Sequence, residues 1–424
     1  MDPSGPLYRL FLWAAVLLLA VLGAATGAGA LLALGASLLV LLVVSFARSR
    51  RALLGLRVSR RVHTNAFEDD AVAVELQLEN RSRRPAALVD LDDSFGPSVA
   101  DRQLVLEPGP LLPGRRLRLL YRSFCSRGWG EYRVGPLGLR VSDPAGLFSA
   151  RRLFHQLDTL TVFPRVHPIG ALERLGARAS LQSQELVASR AGQSLSYLGV
   201  RDYRSGDEVR RIHWPATARR GELSVKEHET DLLPYFTLFL DLDKRSRAGT
   251  GRKSTLEFVV RTAVSLVWQA CARGDVVQLI AEADKPVYVP PGSGELHATQ
   301  ALYELVRVRQ DGKRSLLDVF EQHRPLLLAG STAALLFGSL AIEPLELEAA
   351  IEALHARGVS ALVFLVNDSS FVPIDRWQLK PQALAQRCSA LLGVLRARRV
   401  PGAILGAEAD LAAQLARREL LEGA

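Results

Sequence analysis

The first fifty residues of the chain contain an almost unbroken apolar run. Between Leu10 and Val44 the only polar side chains are Thr26 and Ser37. A single helix over this run would reach about 52 Å at about 1.5 Å per residue, whereas the hydrocarbon core of a bilayer is about 30 Å thick. The tilt that one helix would need exceeds the usual range of about 0 to 40°. The pattern therefore predicts a transmembrane hairpin over residues 1–47, which turns in the glycine cluster Gly23, Gly27 and Gly29.

A signal peptide is the alternative, because the segment 28–30 (Ala-Gly-Ala) has the small-x-small form of a cleavage site. A second apolar run starts directly after that segment, which favours the hairpin. Six arginines and no acidic residue follow the apolar run in residues 47–61, and such a cluster stays on the cytoplasmic side of a membrane. The residues from 48 onward are therefore predicted to face the cytoplasm. The arginines are Arg48, Arg50, Arg51, Arg57, Arg60 and Arg61.

Short stretches in which apolar and polar residues alternate occupy residues 48–165. Segments 71–78 and 116–121 are examples, and alternation with period two predicts half-buried strands. Turn residues separate the stretches at intervals typical of an antiparallel sandwich. The pattern predicts an Ig-like β domain over residues 48–165.

Residues 231–424 change to apolar strands that alternate with helical patterns. Continuously apolar strands between helices indicate a parallel sheet that is covered on both faces. The fold class predicted here is a doubly wound α/β domain, so the whole chain combines α/β with all-β architecture. The apolar segment 325–342 is interpreted as a buried strand and its loop, because glycines and serines interrupt it. The apolar runs lie at 236–241, 276–281, 333–340 and 359–366.

Composition and missing motifs exclude several functions. The net charge is +9, but only 6 of the 53 basic residues are Lys, and the 7% of aromatic residues do not interleave with the arginines. A stacking platform for nucleic acid is therefore not predicted. No Gly-x-x-x-x-Gly-Lys-Ser/Thr phosphate loop occurs, so intrinsic ATPase activity is not predicted either. Neither a disulfide framework nor a zinc site follows from the three distant cysteines Cys125, Cys271 and Cys388.

Residues 166–230 are predicted to link the β domain to the α/β domain. Within them, Asp207 follows a turn and can N-cap a short helix that has Ile212 on its apolar face. Pro215 disfavours helical structure at the preceding Trp214. Trp214 is expected to be buried, as a large apolar side chain held in this joint.

This linker segment resembles the signature of the bacterial family known as domain of unknown function 58. The family pattern is tyrosine, Gly-Asp, arginine, Ile-His/Asp-Trp and then Ala-Arg. Segments 127–136 and 143–148 resemble the element that closes the family's β domain, whereas Pro215 departs from the pattern. The matching residues are Tyr203, Gly206, Asp207, Arg210, Ile212, His213, Trp214, Ala218 and Arg219.

The resemblance implies a von Willebrand factor A-like domain after the signature and a protein partner such as a MoxR-type AAA+ ATPase. Domains of this type can bind a divalent cation through Asp-x-Ser-x-Ser, because hard oxygen ligands suit magnesium. Here the loop is Asp241-Leu-Asp-Lys-Arg245, with Asp243 and Arg245 at the two serine positions. Arg245 would place a positive charge beside the cation. No metal or other cofactor is therefore predicted, and Asp241 and Asp243 are the remaining candidates.

These features predict a non-enzymatic adaptor at the bacterial inner membrane, with its soluble domains in the cytoplasm and a protein as partner. One alternative is a hydrolase-like enzyme that uses Asp207 and His213, although no nucleophile motif lies near them. A deep pocket that joins both residues to a third polar group would favour it. The other alternative is a purely structural envelope protein. That function would be favoured if the chain itself covered the 241–245 loop.

Overall fold

The computed structural model describes residues 6–107, 109–144, 146–170, 196–203, 212–229, 234–371, 381–407 and 410–416. They form two units, Met1–Phe163 and Pro164–Ala424. Several β-sheets are combined with helices, and apolar helices lie at the N-terminal end. The predicted mixture of α and β structure is therefore confirmed.

Two apolar helices open unit 1, α1 (Pro6–Thr26) and α2 (Gly29–Leu54). The chain turns between them, where Gly27 adopts a φ of +66°. An ideal Cβ on Gly23 would lie 2.9 Å from the side chain of Leu32, so the helices approach each other closely at this glycine. Among the described residues, α2 alone is long and apolar enough to cross a membrane, since the apolar part of α1 is shorter.

The rest of unit 1 consists of nine strands in two sheets. One sheet has the order β1-β3-β6, the other has the order β2-β9-β7-β4-β5, and β8 pairs with β7. Leu76 of the first sheet and Leu91 and Leu139 of the second belong to one buried core. The predicted strands 71–78 and 116–121 lie within β3 and β6. The strands are β1 (Leu56–Val62), β2 (Asn65–Phe67), β3 (Ala71–Asn80), β4 (Leu88–Phe95), β5 (Arg102–Glu107), β6 (Arg116–Phe124), β7 (Gly130–Ser142), β8 (Ser149–Phe154) and β9 (Asp158–Phe163).

The C-terminal part of α2 packs against these strands. Its buried residues include Ser45, Ser49 and Leu53, which lie four apart on one helix face. The Ser49 hydroxyl donates to the carbonyl of Phe148 at 3.0 Å, and the Phe148 ring meets Phe46 edge to face at a centroid distance of 5.7 Å. The helix and the β-sheets are therefore parts of one packed unit.

Unit 2 is built on a six-stranded sheet of order β16-β15-β12-β17-β18-β19. All neighbouring pairs are parallel except β15 with β16. From β12 the chain first adds strands on one side and then on the other, so its order reverses between β12 and β17. Strands β10 (Ser196–Asp202) and β11 (Ser224–Glu229) form a separate antiparallel pair. The sheet consists of β12 (Tyr235–Leu240), β15 (Val276–Glu282), β16 (Pro286–Gly292), β17 (Thr332–Gly338), β18 (Ser360–Val366) and β19 (Gly402–Leu405).

Helices cover this sheet. Ala333, Leu335 and Phe337 of β17 belong to a core cluster with residues of α6, α7 and α8, and the alternate residues of that strand point to the opposite face. Every residue of β17 is buried, so the apolar segment 325–342 contains a core strand, as interpreted from the sequence. The helices are α3 (Trp214–Arg220), α4 (Thr255–Ala272), α5 (Gly294–Val306), α6 (Leu316–His323), α7 (Pro344–Ala356), α8 (Pro381–Ala397) and α9 (Leu411–Ala416), and a short hairpin joins β13 (Gly249–Thr250) to β14 (Lys253–Ser254).

Two strands of the sheet, β16 and β19, were not expected. Both lie at the sheet edges, and β16 contains Pro290 and Pro291. Proline cannot donate a ladder hydrogen bond, so it is confined to edge strands and bulges. This is why the stretch lacks the apolar pattern of the central strands.

Arg60 differs from the other arginines that follow the apolar run. Its side chain is fully buried in unit 1 and forms ion pairs with Asp93 at 2.5 Å and with Asp158 at 2.8 Å. A guanidinium nitrogen also donates to the carbonyl of Val134 at 2.6 Å. The sequence groups Arg60 with five other cytoplasmic arginines, but the strand alternation turns its side chain into the interior of unit 1.

The carboxylate of Asp93 connects Arg60 to a second buried group. The Tyr121 hydroxyl donates to Asp93 Oδ2 at 2.7 Å. Burial raises the pKa of Tyr121 and the neighbouring carboxylate raises it further, so the phenol stays protonated and remains a donor. Arg60, Asp93 and Tyr121 thus form a network whose members depend on one another.

We expect Arg60→Ala to lower the free energy of unfolding of unit 1 by about 3 to 5 kcal/mol, because it leaves a buried carboxylate without its cation. Arg61 is the adjacent, exposed residue and provides the control. Thermal melts of the full chain in detergent should show a loss of stability for Arg60→Ala and none for Arg61→Ala. Equal melting temperatures for both variants would contradict the assigned role of the network.

Candidate functional site

Polar residues follow the three central strands of the unit 2 sheet. Asp241 follows β12, Ser339 follows β17, and Asp368 lies just after β18. These strands are parallel, so their carboxyl ends meet at one edge of the sheet. The chain order reverses between β12 and β17, and ligands of open α/β sheets bind in the crevice at such a point. This carboxyl edge is the candidate functional site.

The loop after β12 is held by its own side chains. Asp241 is 1% exposed, and its carboxylate accepts hydrogen bonds from the Ser246 hydroxyl and from the Asp243 amide. Asp243 Oδ1 accepts from the backbone amide of Arg245 at 2.9 Å, and Oδ2 accepts from its guanidinium at 2.6 and 2.8 Å. Both oxygens of Asp243 are therefore engaged by Arg245.

Asp368 organises the neighbouring loops and is fully buried. Its Oδ1 accepts from the hydroxyl of Thr255 at 2.8 Å, and its Oδ2 accepts from the Ser339 hydroxyl at 3.1 Å and from the amide of Leu340 at 2.9 Å. An ideal Cβ on Gly338 would lie 2.7 Å from this carboxylate, so any larger residue would displace it. The β17 loop and the start of α4 are thus joined through one side chain.

Both buried carboxyl groups have raised pKa values. Burial raises the pKa of Asp241 to about 7, with further contributions from the nearby charges of Asp243 and Asp368. Burial also raises the pKa of Asp368, to about 6, although its three hydrogen bonds act in the opposite direction. At neutral pH Asp241 is therefore distributed between its neutral and charged forms.

A third loop, residues 307–314, lies beside the 241–247 loop. The Gly312 amide donates to the carbonyl of Leu242 at 2.9 Å, and the amide of Lys244 donates to the carbonyl of Gly312 at 3.0 Å. An ideal Cβ on Gly312 would lie 2.3 Å from the carbonyl oxygen of Glu282, so this close approach requires glycine. The amide nitrogen of Gln310, a buried residue, donates to the Ser246 hydroxyl at 3.2 Å.

The outer surface of these two loops is basic. Arg245 is 66% exposed beyond its ion pair with Asp243, and Arg314 is half exposed beside Glu282. Lys244, Arg247 and Lys313 are exposed as well. We call these five residues the basic edge. Buried carboxylates thus lie beneath a positively charged surface.

The signature residues divide into described and undescribed positions. Gly206, Asp207 and Arg210, and with them the predicted cap at Asp207, lie outside the described residues. Ile212 is buried and bridges to Val225 of β11. The other described positions are Tyr203, whose amide donates to the carbonyl of Leu223, His213, Trp214, and the exposed Ala218 and Arg219 on α3.

Helix α3 begins at Trp214, which corrects the interpretation of Pro215 as a residue that disfavours helix there. His213 is the N-cap, and its Nδ1 accepts from the amide of Ala216 at 3.0 Å. Proline is favourable in the first helical turn because its missing N–H has no partner there in any helix. Trp214 is 62% exposed, so its predicted burial is wrong.

One comparison with known protein families gives a match. Residues 199–387 match the model of the family described as "Protein of unknown function DUF58". This match supports the family that was predicted from the signature. A search of curated proteins finds no match.

Solved structures share only weak likeness with the chain. The CARDB domain of a Pyrococcus furiosus protein is 12% identical over 25% of this chain and 91% of that one, with a TM-score of 0.18. Alpha-2-macroglobulin from Escherichia coli is 18% identical over 27% of this chain and 19% of its own, with a TM-score of 0.21. A β-glucosidase from Listeria innocua is 10% identical over 25% of this chain and 16% of its own, with a TM-score of 0.17. Neither fold nor function follows from these likenesses.

Sequence reasoning found Asp241 and Asp243 but missed Asp368, Thr255 and Ser339. These three residues come from separate elements, and only the fold brings them together. One signal was present, since Asp368 follows an apolar run in the way that Asp241 does. Parallel strands that each end in an aspartate are expected to place both carboxylates at one edge.

The raised pKa of Asp241 predicts how the stability of unit 2 varies with pH. An unfolded aspartate titrates near about 3.9. Between about pH 4 and about pH 7 the folded chain therefore retains a proton on Asp241 that the unfolded chain releases. The stability that this proton contributes is complete below about pH 4 and is lost as the pH rises through about 7. Asp241→Asn has no such proton. We expect its melting temperature to fall less than that of the unmodified chain between pH 5 and pH 8.

The control for this comparison is Asp284→Asn, at an exposed position in the turn between β15 and β16. It should reproduce the pH dependence of the unmodified chain. An Asp241→Asn profile parallel to both would show that this carboxyl is not the titrating group.

Proposed function

We propose that the chain is a membrane-anchored, non-enzymatic adaptor that presents its basic edge to an acidic surface of a cytoplasmic protein. In this proposal unit 2 is a von Willebrand factor A-like domain, the strands of unit 1 form an Ig-like domain, and the apolar helices are the anchor. The observation that supports it most is the carboxyl edge of the sheet. There, exposed cations stand on loops that buried carboxylates hold in place.

The strand order supports a von Willebrand factor A-like domain. The central strand β12 is the first of the sheet, and the loop that follows it has Asp241 at the aspartate position of the family-implied metal motif. Such domains use this edge to contact other molecules. The adaptor proposal therefore places the partner surface at the basic edge.

The residues at this edge do not fit a bound divalent cation. Both Asp243 oxygens are engaged by Arg245, which stands where the motif has a hydroxyl. Asp241 and Asp368 are buried and hydrogen-bonded to hydroxyl and amide groups. No group of three His, Cys, Asp or Glu suited to a metal occurs among the described residues. The proposed contact with a partner therefore relies on the guanidinium and ammonium groups themselves.

Two observations bear on the alternatives. His213 uses Nδ1 to cap α3, a structural role that accounts for this histidine without catalysis. Lys244 and Arg245 are exposed, so the described residues do not cover the loop in the way that the purely structural alternative requires. Both observations favour an adaptor over an enzyme or a passive envelope component.

The nature of the partner follows from charge and from the family. A basic surface is complementary to an acidic one, and complementary charge mainly increases the rate of association and its specificity. The family resemblance suggests a MoxR-type AAA+ ATPase as the protein to test first. The anchor would hold such a partner near the inner membrane.

Reporter fusions test the cytoplasmic orientation. A fluorescent protein fused after Ala424 should fluoresce and alkaline phosphatase at the same position should be inactive, because the arginines that follow the apolar part of α2 are retained in the cytoplasm. A sandwich fusion at Gly27, in the turn between the two helices, should give the opposite pattern. Active phosphatase after Ala424 would contradict the orientation.

Charge reversal tests the basic edge. Lys244→Glu combined with Lys313→Glu should weaken binding of the full chain to the ATPase by at least about tenfold, and more at low salt, because close like charges oppose association. Arg357→Glu with Arg399→Glu is the matched control, since both residues are exposed and lie three residues before strands β18 and β19, at the opposite edge of the sheet. Biolayer interferometry with the chain in nanodiscs measures both. Equal losses of affinity for the two pairs of substitutions would contradict specific docking at the basic edge.

A further inference from the structure

Unit 1 contains a cavity of about 960 Å³ beside the C-terminal turns of α2. One wall is formed by α2 residues between 44 and 52. The other is formed by residues 84, 85, 87 and 88 before and at the start of β4, by Pro110, and by residues 142–144 at and just after the end of β7. A volume of this size suits a ligand of many atoms rather than a single ion.

Three arginines line the cavity. Arg48 and Arg51 come from α2, and Arg84 comes from the loop between β3 and β4. None of the three forms an ion pair within the described part of the chain. Asp143, the one acidic residue among the described lining residues, is 3% exposed and accepts a hydrogen bond from the amide of Phe148 at 2.7 Å. The accessible charge of the cavity is therefore positive.

The remaining lining is largely apolar. Val44, Ala47 and Ala52 of α2 face Ala87 and Leu88 of the β-sheet side, and Leu88 is 45% exposed. An exposed leucine beside three arginines suits a ligand that has both an anionic and a hydrocarbon part. A hydrophilic anion alone would leave this apolar wall in contact with water.

The loop that contributes Arg84 is fixed rather than free. The buried Asn80 donates from its side-chain amide to the carbonyl of Arg84 at 2.9 Å, and the Ser82 hydroxyl donates to the same carbonyl at 2.7 Å. The amide of Arg81 donates to the carbonyl of Gly55 at 2.8 Å, at the end of α2. An ideal Cβ on Gly55 would lie 2.3 Å from Ser82 Cβ, so the loop and the helix end are in close contact.

The cavity lies at a defined level along α2. The apolar stretch of this helix ends near Phe46, and the cavity lining runs from Val44 to Ala52, about 12 Å along the axis at about 1.5 Å per residue. If α2 spans the membrane, this segment lies at the boundary between the hydrocarbon core and the lipid headgroups. The arginines would then stand at phosphate depth.

We propose that this cavity binds an anionic glycerophospholipid of the cytoplasmic leaflet. The lipid phosphate would accept hydrogen bonds from Arg48, Arg51 and Arg84, because guanidinium groups bind phosphate oxygens in pairs. The start of one acyl chain would pack against the wall that includes Leu88. The site rests on the membrane anchoring proposed above, and it would fix the β-sheets of unit 1 at the membrane surface through a bound lipid.

Native mass spectrometry of the full chain tests the site, with phosphatidylglycerol and phosphatidylcholine as probes. The unmodified chain should retain phosphatidylglycerol in preference to phosphatidylcholine. Arg51→Gln with Arg84→Gln should reduce that retention by at least about tenfold, since each basic residue near a membrane surface contributes measurably to anionic-lipid binding. Arg57→Gln with Arg61→Gln removes the same charge from exposed positions of β1 outside the lining, and should change retention less than about twofold.

Three results would overturn the proposal. Equal losses of phosphatidylglycerol retention in the two variant pairs would indicate a general attraction between basic residues and anionic lipid. Unchanged retention in Arg51→Gln with Arg84→Gln would exclude the cavity as the binding site. Displacement of phosphatidylglycerol by millimolar inorganic phosphate would indicate a site for the free anion. Unchanged melting temperatures exclude misfolding as the cause of a loss. Recovery of the unmodified chain in the soluble cell fraction would instead refute the anchoring, which makes the two failures distinguishable.

Discussion

Two buried carboxylates at one edge of a parallel sheet constrain the arrangement of unit 2. Asp241 and Asp368 are removed from water, so each needs donors from the protein. Ser246 and a backbone amide supply them for Asp241, and Thr255, Ser339 and the amide of Leu340 supply them for Asp368. Three loops and one helix start are thereby tied together, and the exposed cations of the basic edge stand on this fixed base.

The chain separates buried charges from exposed ones in both units. In unit 1, the adjacent residues Arg60 and Arg61 have opposite environments, since the first pairs with Asp93 inside the sandwich and the second is exposed. In unit 2, Asp243 is buried while the Arg245 that engages it is largely exposed. The buried residues, Arg60 and Asp243, hold neighbouring segments of the structure in place. The exposed arginines and lysines remain for contacts with a partner or a membrane, and this division is the physical basis of the proposed adaptor function.

The sequence predicted those features that depend on periodicity or on a local motif. Alternation located β3 and β6, apolar runs located the central strands of the unit 2 sheet, and the signature indicated the family. The edge strands β16 and β19 were missed, and the other errors concern single side chains. Arg60 was grouped with the cytoplasmic arginines and Trp214 was assigned to the interior, and the burial of each side chain depends on which distant residues pack nearby. The same limit hid the cluster around Asp368, because its donors lie 113 and 29 residues away in the sequence.

Hydrogen–deuterium exchange on the full chain in nanodiscs, with and without a saturating MoxR-type ATPase, tests the adaptor function most directly. The proposed docking edge predicts slower exchange in residues 241–247 and 307–314 when the partner is bound, and unchanged exchange before β18 and β19 at the opposite edge. Protection confined to that opposite edge, or no protection anywhere in unit 2, would contradict the proposal.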